Sequence, residues 1–196
     1  MSPQTDIFYN KFSFFYPLVD LVLQPQKKTL FRIIHSLPEG QLLEIGAGNG
    51  SHFKYYDKHQ VTAIDTSAAM LAIARKNRTD KIKVLKMSGE ALSFEAATFD
   101  YVVLSHVIAV VPNPEQLLAE VLRVLKPGGQ LFILNHFTPE NCLKYIDRLF
   151  SLVSKVFHFR SVFYIDKLEV IKKYLLIKEV HFGPGAYFKL LIYKKQ

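Results

Sequence analysis

The densest chemistry in the chain lies in nine residues, Leu42-Leu43-Glu44-Ile45-Gly46-Ala47-Gly48-Asn49-Gly50. An apolar run climbs to an acid and then breaks into glycines at alternate positions. That is the pattern of a buried parallel strand ending in a turn where backbone must come close to a ligand. Ser51-His52-Phe53-Lys54 follows as a short helix start, with free N–H groups available to that ligand. A dinucleotide loop would space its glycines G-x-G-x-x-G and hold a pyrophosphate. Here the spacing is G-x-G-x-G, and Glu44, two residues before the first glycine, would repel a pyrophosphate and suits a positively charged ligand. A plain glycine-rich strand–helix turn is the simpler alternative. Further polar groups recur where later apolar runs end: Asp65, Ser88-Gly89-Glu90, Ser105-His106 and Asn135-His136.

These groups can meet only if strand ends converge. From Gln41 onward, strand-like and helix-like segments alternate, which argues for a doubly wound α/β sheet. The expected strands are Leu42–Ile45, Val61–Ile64, Ile82–Met87, Phe99–Leu104 and Leu131–Leu134. Ser67 can cap a helix over Ala68–Lys76, and Asn113 with Pro114 opens a helix that Lys126-Pro127-Gly128-Gly129 ends. Residues 139–175 read as helical. Ile177–Phe182 and Tyr187–Tyr193, joined across Gly183-Pro184-Gly185, read as an antiparallel pair at one sheet edge. In such sheets ligands bind beyond the carboxyl ends of the strands. Before the sheet, Phe8, Tyr9, Phe12, Phe14, Phe15 and Tyr16 place six aromatics in nine positions. Pro17 and Pro25 should each break or restart a helix, giving two or three short helices over the ligand end. Most of these aromatics pack on the core in the plain reading; a few form a lid in the sharper one.

The 196 residues suffice for one domain: a lid over 1–38, a core over 39–136, a helical insertion over 137–175 and a hairpin over 176–196. A single cysteine, Cys142, permits no intrachain disulfide and fits a reducing compartment. Residues 1–20 make a poor signal peptide, and the apolar run Tyr101–Val111 is too short to span a bilayer. The net charge of +8 is unevenly spread: residues 1–143 hold 14 Lys/Arg against 13 Asp/Glu, whereas 144–196 hold 11 against 4. A basic excess of this kind suits an anionic surface, unless it is only a solvated face.

Over nearly its whole length the chain resembles the class I S-adenosylmethionine (SAM) methyltransferases. The resemblance rests on Glu44-x-Gly46-x-Gly48-x-Gly50, Ala63-Ile64-Asp65-Thr66-Ser67-Ala68-Ala69-Met70-Leu71, Phe99-Asp100-Tyr101-Val102-Val103 and Leu125-Lys126-Pro127-Gly128-Gly129. It implies a Rossmann-like fold: a seven-stranded, mostly parallel sheet with an antiparallel C-terminal hairpin and N-terminal lid helices. It also implies SAM as cofactor and S-adenosylhomocysteine as product. Asp65 would accept the ribose hydroxyls and Gly48 admit the sugar and methionine portion. The wider cofactor set would be Tyr9, Glu44, Gly46, Asn49, Gly50, Thr66, Met70, Ser88, Gly89, Glu90 and Ser105. Ser88 stands where the family often has an aspartate for the adenine amine.

A narrower set, Val107–Glu115, Ile133-Leu134-Asn135-His136-Phe137, Tyr9 with Tyr16, and Phe182–Leu190, resembles bacterial phosphatidylethanolamine N-methyltransferases of the peripheral type. The implied substrate is a phospholipid amine, met by a cytoplasmic monomer on the anionic inner membrane face, with no metal and no nucleic acid. His136, flanked by Asn135, is the favoured general base and His106 the other; ordinary hydrogen bonding near a pocket is the simpler role for both. Tyr16 and Tyr9 could close over the cofactor or hold the amine by cation–π contact, or merely pack. Leu143, Ile146, Leu149, Phe150, Val153, Val156 and Phe157, interleaved with Lys144, Arg148, Lys155 and Arg160, form an amphipathic stripe for core or membrane. A quinone or small-molecule methyltransferase and a non-catalytic SAM-binding protein are the alternatives.

Overall fold

Five short apolar runs become five parallel strands: β1 (Gln41–Ile45), β2 (Gln60–Asp65), β3 (Ile82–Lys86), β4 (Phe99–Ser105) and β5 (Leu125–His136). Two more, β6 (Tyr174–Phe182) and β7 (Phe188–Lys195), complete one sheet of order β3-β2-β1-β4-β5-β7-β6. The computed structural model describes residues 16–137, 164–183 and 188–196. The pairs β3–β2, β2–β1, β1–β4 and β4–β5 are parallel, and β5–β7 and β7–β6 antiparallel. The order reverses between β1 and β4, so the carboxyl ends of those strands flank the switch point where this architecture binds ligands.

Among the described residues three α-helices cover the faces: α1 (Tyr16–Ser36), α2 (Ala68–Asn77) and α3 (Pro114–Val124). Ser67 caps α2 by accepting from the Met70 amide at 3.3 Å, and Asn113 caps α3 by accepting from Gln116 at 3.1 Å, with Pro114 in its first turn. Alternation along β1 divides the core. Leu43 and Ile45 pack with Leu117, Leu118 and Val121 of α3, whereas Leu42 packs with Leu30, Phe31 and Ile34 of α1. α3 also braces its surroundings. Arg123 donates to the Phe94 and Leu92 carbonyls, Glu120 accepts from the Leu92 amide, and Glu115 accepts from the amides of Glu169 and Val170.

Three expectations need correction. α1 runs unbroken through Pro25, so one helix replaces two or three over the described part of the N-terminus. A proline inside a helix costs about 3 kcal/mol, and the complete burial of Leu30 and Ile34, worth about 1.5–3 kcal/mol per side chain, offsets it. α3 stops at Val124, and Leu125 already pairs with Phe99; residues 126–129 loop out before pairing resumes at Gln130 with Tyr101. Gly128, at φ +76°, takes that bend. Finally, 164–175 is not helix: two 3-10 turns, Ile165–Lys167 and Val170–Lys173, lead into β6, which begins at Tyr174 because β7 supplies its backbone partners from Lys195 backwards. The amphipathic stripe from Leu143 to Arg160 lies outside the described residues, as does Tyr9; for Tyr16 only its place as first residue of α1 is described. No helix among the described residues is long and apolar enough to cross a membrane.

Candidate active site

The glycine turn is pinned before it reaches any ligand. The Gly46 and Ala47 amides both donate to the Ile64 carbonyl at the end of β2, at 2.8 and 3.0 Å. Gly46, Gly48 and Gly50 take φ of +77°, +55° and +67°, a region that costs L-residues about 1–2 kcal/mol. A Cβ on Gly46 would lie 2.2 Å from Val107 Cγ2, so the turn approaches the chain leaving β4 as closely as backbone can. Asp65, last residue of β2, then ties the turn to α2: Oδ2 accepts from the Gly48 amide and Oδ1 from the Ser67 amide, each at 2.8 Å. Burial pushes the Asp65 carboxyl above its ordinary range. The amides of Ser67, Gly48 and Thr66 pull it part of the way back, and nearby Glu44 adds to the upward push.

A cleft opens at this point. Gly46, Gly48, Asp65, Thr66, Met70, Ser88, Gly89, Glu90, Ser105 and His106 all line it, so ten of the residues singled out from sequence converge there. Ile45, Ser67, Met87, Val107, Val110 and Val111 complete the wall. Met87 and the valines could have been found, since Met87 follows β3 and the valines belong to the apolar run after β4. Glu90 is fixed by α3: its Oε1 accepts from the Asn113 amide at 2.6 Å.

Other candidates stand elsewhere. Glu44 is 1% exposed and does not line the cleft; strand alternation turns its side chain to the α1 face. There both carboxylate oxygens meet His52 Nε2, at 2.7 and 2.9 Å. The His52 ring stacks on Phe31 at 5.2 Å and meets Phe53 and Tyr56 edge-on. Burial, and then the charge of Glu44, push the Tyr56 hydroxyl well above its usual range. Nothing in the sequence marks this cage, because its members come from α1, β1 and the loop after it. Asn49 and Gly50 shape the turn rather than face the cleft: Asn49 Oδ1 accepts from Ser51, and a Cβ on Gly50 would meet Phe53 at 2.6 Å.

The two histidines also part. His106, just past β4, holds φ +59°, a strained value for a residue with a Cβ, and lines the cleft. His136, opposite Phe188 in the β5–β7 ladder, does not line it. Phe188 meets His106 edge-on at 6.0 Å and His136 at 6.5 Å, so one phenyl ring bridges both. Asn135 is buried, and its amide donates to the His136 carbonyl at 2.7 Å.

The cleft suits SAM on three counts. The Asp65 oxygens each retain acceptor capacity for a ribose hydroxyl. Met70, Met87, Val110 and Val111 offer apolar surface for an adenine ring. The Ser105 hydroxyl is buried with no hydrogen-bond partner among the described residues, a cost that a bound polar group would remove. No group of His, Cys, Asp or Glu among the described residues could hold a metal ion.

A family profile described as a methyltransferase domain matches residues 43–133. The phosphatidylethanolamine N-methyltransferase of Cereibacter sphaeroides is 30% identical over 164 residues, covering 80% of this chain and 81% of that protein. The demethylmenaquinone methyltransferase of Renibacterium salmoninarum is 33% identical over 108 residues, covering 54% of this chain and 45% of that protein. Among solved structures, a SAM-dependent methyltransferase of Methanosarcina mazei superposes with TM-score 0.65 at 22% identity, covering 83% of this chain and 96% of the other, a likeness of fold.

Proposed function

This chain belongs to the class I SAM-dependent methyltransferases, with SAM as its cofactor, and on that premise we propose that it methylates the amine of phosphatidylethanolamine and of its mono- and dimethyl forms. The observation carrying the substrate is the reach of the Cereibacter relative over four-fifths of both chains. The quinone methyltransferases match less than half of their own length. In this reading the enzyme is a monomer acting from the cytoplasmic side on an anionic membrane surface, with neither metal nor nucleic acid.

Bound SAM supplies a methyl group on a positively charged sulfur, already activated for in-line displacement. The work left to the chain is alignment and provision of a neutral amine. Asp65 and the glycine turn orient the cofactor from the β1–β2 side, while Glu90, held by the Asn113 amide, steadies the opposite wall. A lipid ammonium must lose a proton before its nitrogen lone pair can attack. We assign that proton to His106, the candidate base that lines the cleft, in place of His136. The His106 imidazole would take that proton, leaving a neutral amine whose lone pair can face the methyl group that SAM, held by Asp65 and the glycine turn, would supply.

The test is incubation with radiolabelled SAM, liposomes containing phosphatidylethanolamine, and a demethylated quinone. Label is expected in lipid. Label in the quinone alone establishes the second reading, which the 33% identity to a demethylmenaquinone enzyme supports. Binding of SAM without transfer to either overturns the lipid reading and leaves a small-molecule acceptor or a non-catalytic protein.

A further inference from the structure

Inner strands of a parallel sheet are ordinarily apolar on both faces. The amino ends of β1 and β2 depart from this on the face that carries Leu43. Gln41 opens β1 and Gln60 opens β2; both are exposed and they pair in register. Thr62 pairs with Leu43 on one side and with Lys83 of β3 on the other. Residues alternate between faces along a strand, so Gln41, Gln60, Thr62 and Lys83 share one face. On that face α3 packs on Leu43 and Ile45. Residues 87–98, between β3 and β4, form no helix to cover the remainder.

A cavity of about 460 Å3 lies over this polar floor, and residues 78–81, which join α2 to β3, form its rim. That volume falls within the range of about 300–1,000 Å3 typical of small-molecule sites. Three cations line it, Arg78, Lys81 and Lys83, against one acid, Asp80. Lys81 Nζ donates to the Asp57 carbonyl at 2.8 Å, which leaves its charge uncompensated and two of its donors unused. Neither the Arg78 guanidinium nor the Lys83 ammonium has a hydrogen-bond or ion-pair partner among the described residues. Like charges around one cavity repel, and an anion between them reverses the sign of that energy. A guanidinium fork matches two phosphate oxygens, and the Thr62 and Thr79 hydroxyls add neutral donors. Asp80 accepts only, so it repels a bare phosphate but suits the hydroxyl of a larger ligand.

We infer that this cavity is a second ligand site, which takes a small phosphate ester bearing hydroxyl groups. The phosphate sits on Arg78 and Lys83, and the hydroxyls face Asp80 and Gln60. The site stands apart from the cofactor cleft, because Gln60 and Asp65 are opposite ends of β2, roughly 17 Å apart at 3.3 Å per residue. Glycerol 3-phosphate is the probe, titrated into the isotope-labelled full chain and followed by NMR. The amides of Thr62, Thr79 and Lys83 are expected to shift together and to saturate; inorganic phosphate should move them at higher concentration, and glycerol not at all. Arg78→Gln/Lys83→Gln should weaken the ester by at least about tenfold. Lys173→Gln/Lys194→Gln, exposed at the far side of the sheet, is the charge-matched control and should change it by less than about twofold. Saturating S-adenosylhomocysteine should leave the ester's affinity unchanged. No saturable shift at these amides, equal losses from the two pairs, or displacement of the probe by S-adenosylhomocysteine each overturn the inference. Asp80→Asn should narrow the preference for the ester over inorganic phosphate, since the repelling acid is gone. Equal affinities for the two probes in the native chain overturn the ester assignment.

Discussion

Two carboxylates stand near the ends of neighbouring strands and have opposite surroundings. Asp65 faces the cleft and is held by backbone amides alone, which leaves its outer lone pairs for a ligand. Glu44, one residue short of the end of β1, points to the other face and spends both oxygens on His52 inside a shell of Phe31, Phe53 and Tyr56. The sheet thus sorts two similar acids into different work. On the cleft side a charge is oriented but left unsatisfied; on the α1 side a charge is fully consumed in fixing the turn. Substitutions on the two sides should therefore fail in different ways.

The largest effect is expected at His52. His52→Ala leaves a buried carboxylate without its partner, a loss of about 3–5 kcal/mol of stability. Urea unfolding measures it, and Glu44→Gln in the same background should recover part of the loss, because the two residues act as one unit. SAM affinity of the folded fraction should move little. A large fall in affinity with unchanged stability would place Glu44 among the ligands after all and erase the contrast.

Gly46 joins the two sides and comes next. Gly46→Ala combines a positive-φ penalty with a Cβ placed 2.2 Å from Val107 Cγ2. Together these cost about 3 kcal/mol. Both readouts should suffer here: a lower urea midpoint, and SAM binding weakened by more than tenfold as Val107 is pushed into the cleft. Val107→Ala in the same chain should restore part of each.

The contrast between the two acids also explains what the sequence could and could not reveal. Asp65 was legible because a strand end is a local feature: an apolar run, an acid, then a capping serine. The five parallel strands were legible for the same reason, since burial on both faces writes continuous apolar runs. The role of His52 was not, because its partner is fixed by which face of β1 Glu44 takes and by a ring arriving from α1. That His136 does not line the cleft was hidden for a related reason. Its place at the end of β5 matched expectation, yet pairing with β7 sets Phe188 between it and His106. Pro25 misled because local propensity reads a break that the packing of Leu30, Phe31 and Ile34 overrides.

Asp65→Asn should show the reverse of His52→Ala. Losing charge-assisted hydrogen bonds costs about 1.5–3 kcal/mol of cofactor affinity, or roughly tenfold to a hundredfold, read by calorimetry with S-adenosylhomocysteine. Stability at neutral pH should change by less than about 1 kcal/mol, since relief of a buried charge opposes one lost backbone bond. The pH dependence gives the sign. Burial raises the folded carboxyl above its ordinary value of 3.8, so between that value and the raised one the folded state keeps a proton that the unfolded chain releases. Stability contributed by Asp65 therefore falls as pH rises through this window and is level above it. Urea unfolding from pH 3 to 7 should show the native chain losing stability relative to Asp65→Asn across the window. A difference that stays flat would mean the carboxyl is not desolvated.

The smallest effect is the finest probe of the cleft side. Ser105 buries a hydroxyl that has no partner among the described residues, so Ser105→Ala removes an unsatisfied group and should leave the ligand-free enzyme unchanged or more stable by up to about 1 kcal/mol. If that hydroxyl meets its partner only on cofactor or substrate, the same change should cost about 0.5–1.5 kcal/mol of binding, or up to about tenfold in KM for one of the two. Thermal unfolding with and without S-adenosylhomocysteine, beside the two KM values, measures both halves. Raised stability with unchanged KM values would make Ser105 an ordinary wall residue; a rise confined to the lipid KM would put the acceptor amine, rather than the cofactor, beside the end of β4.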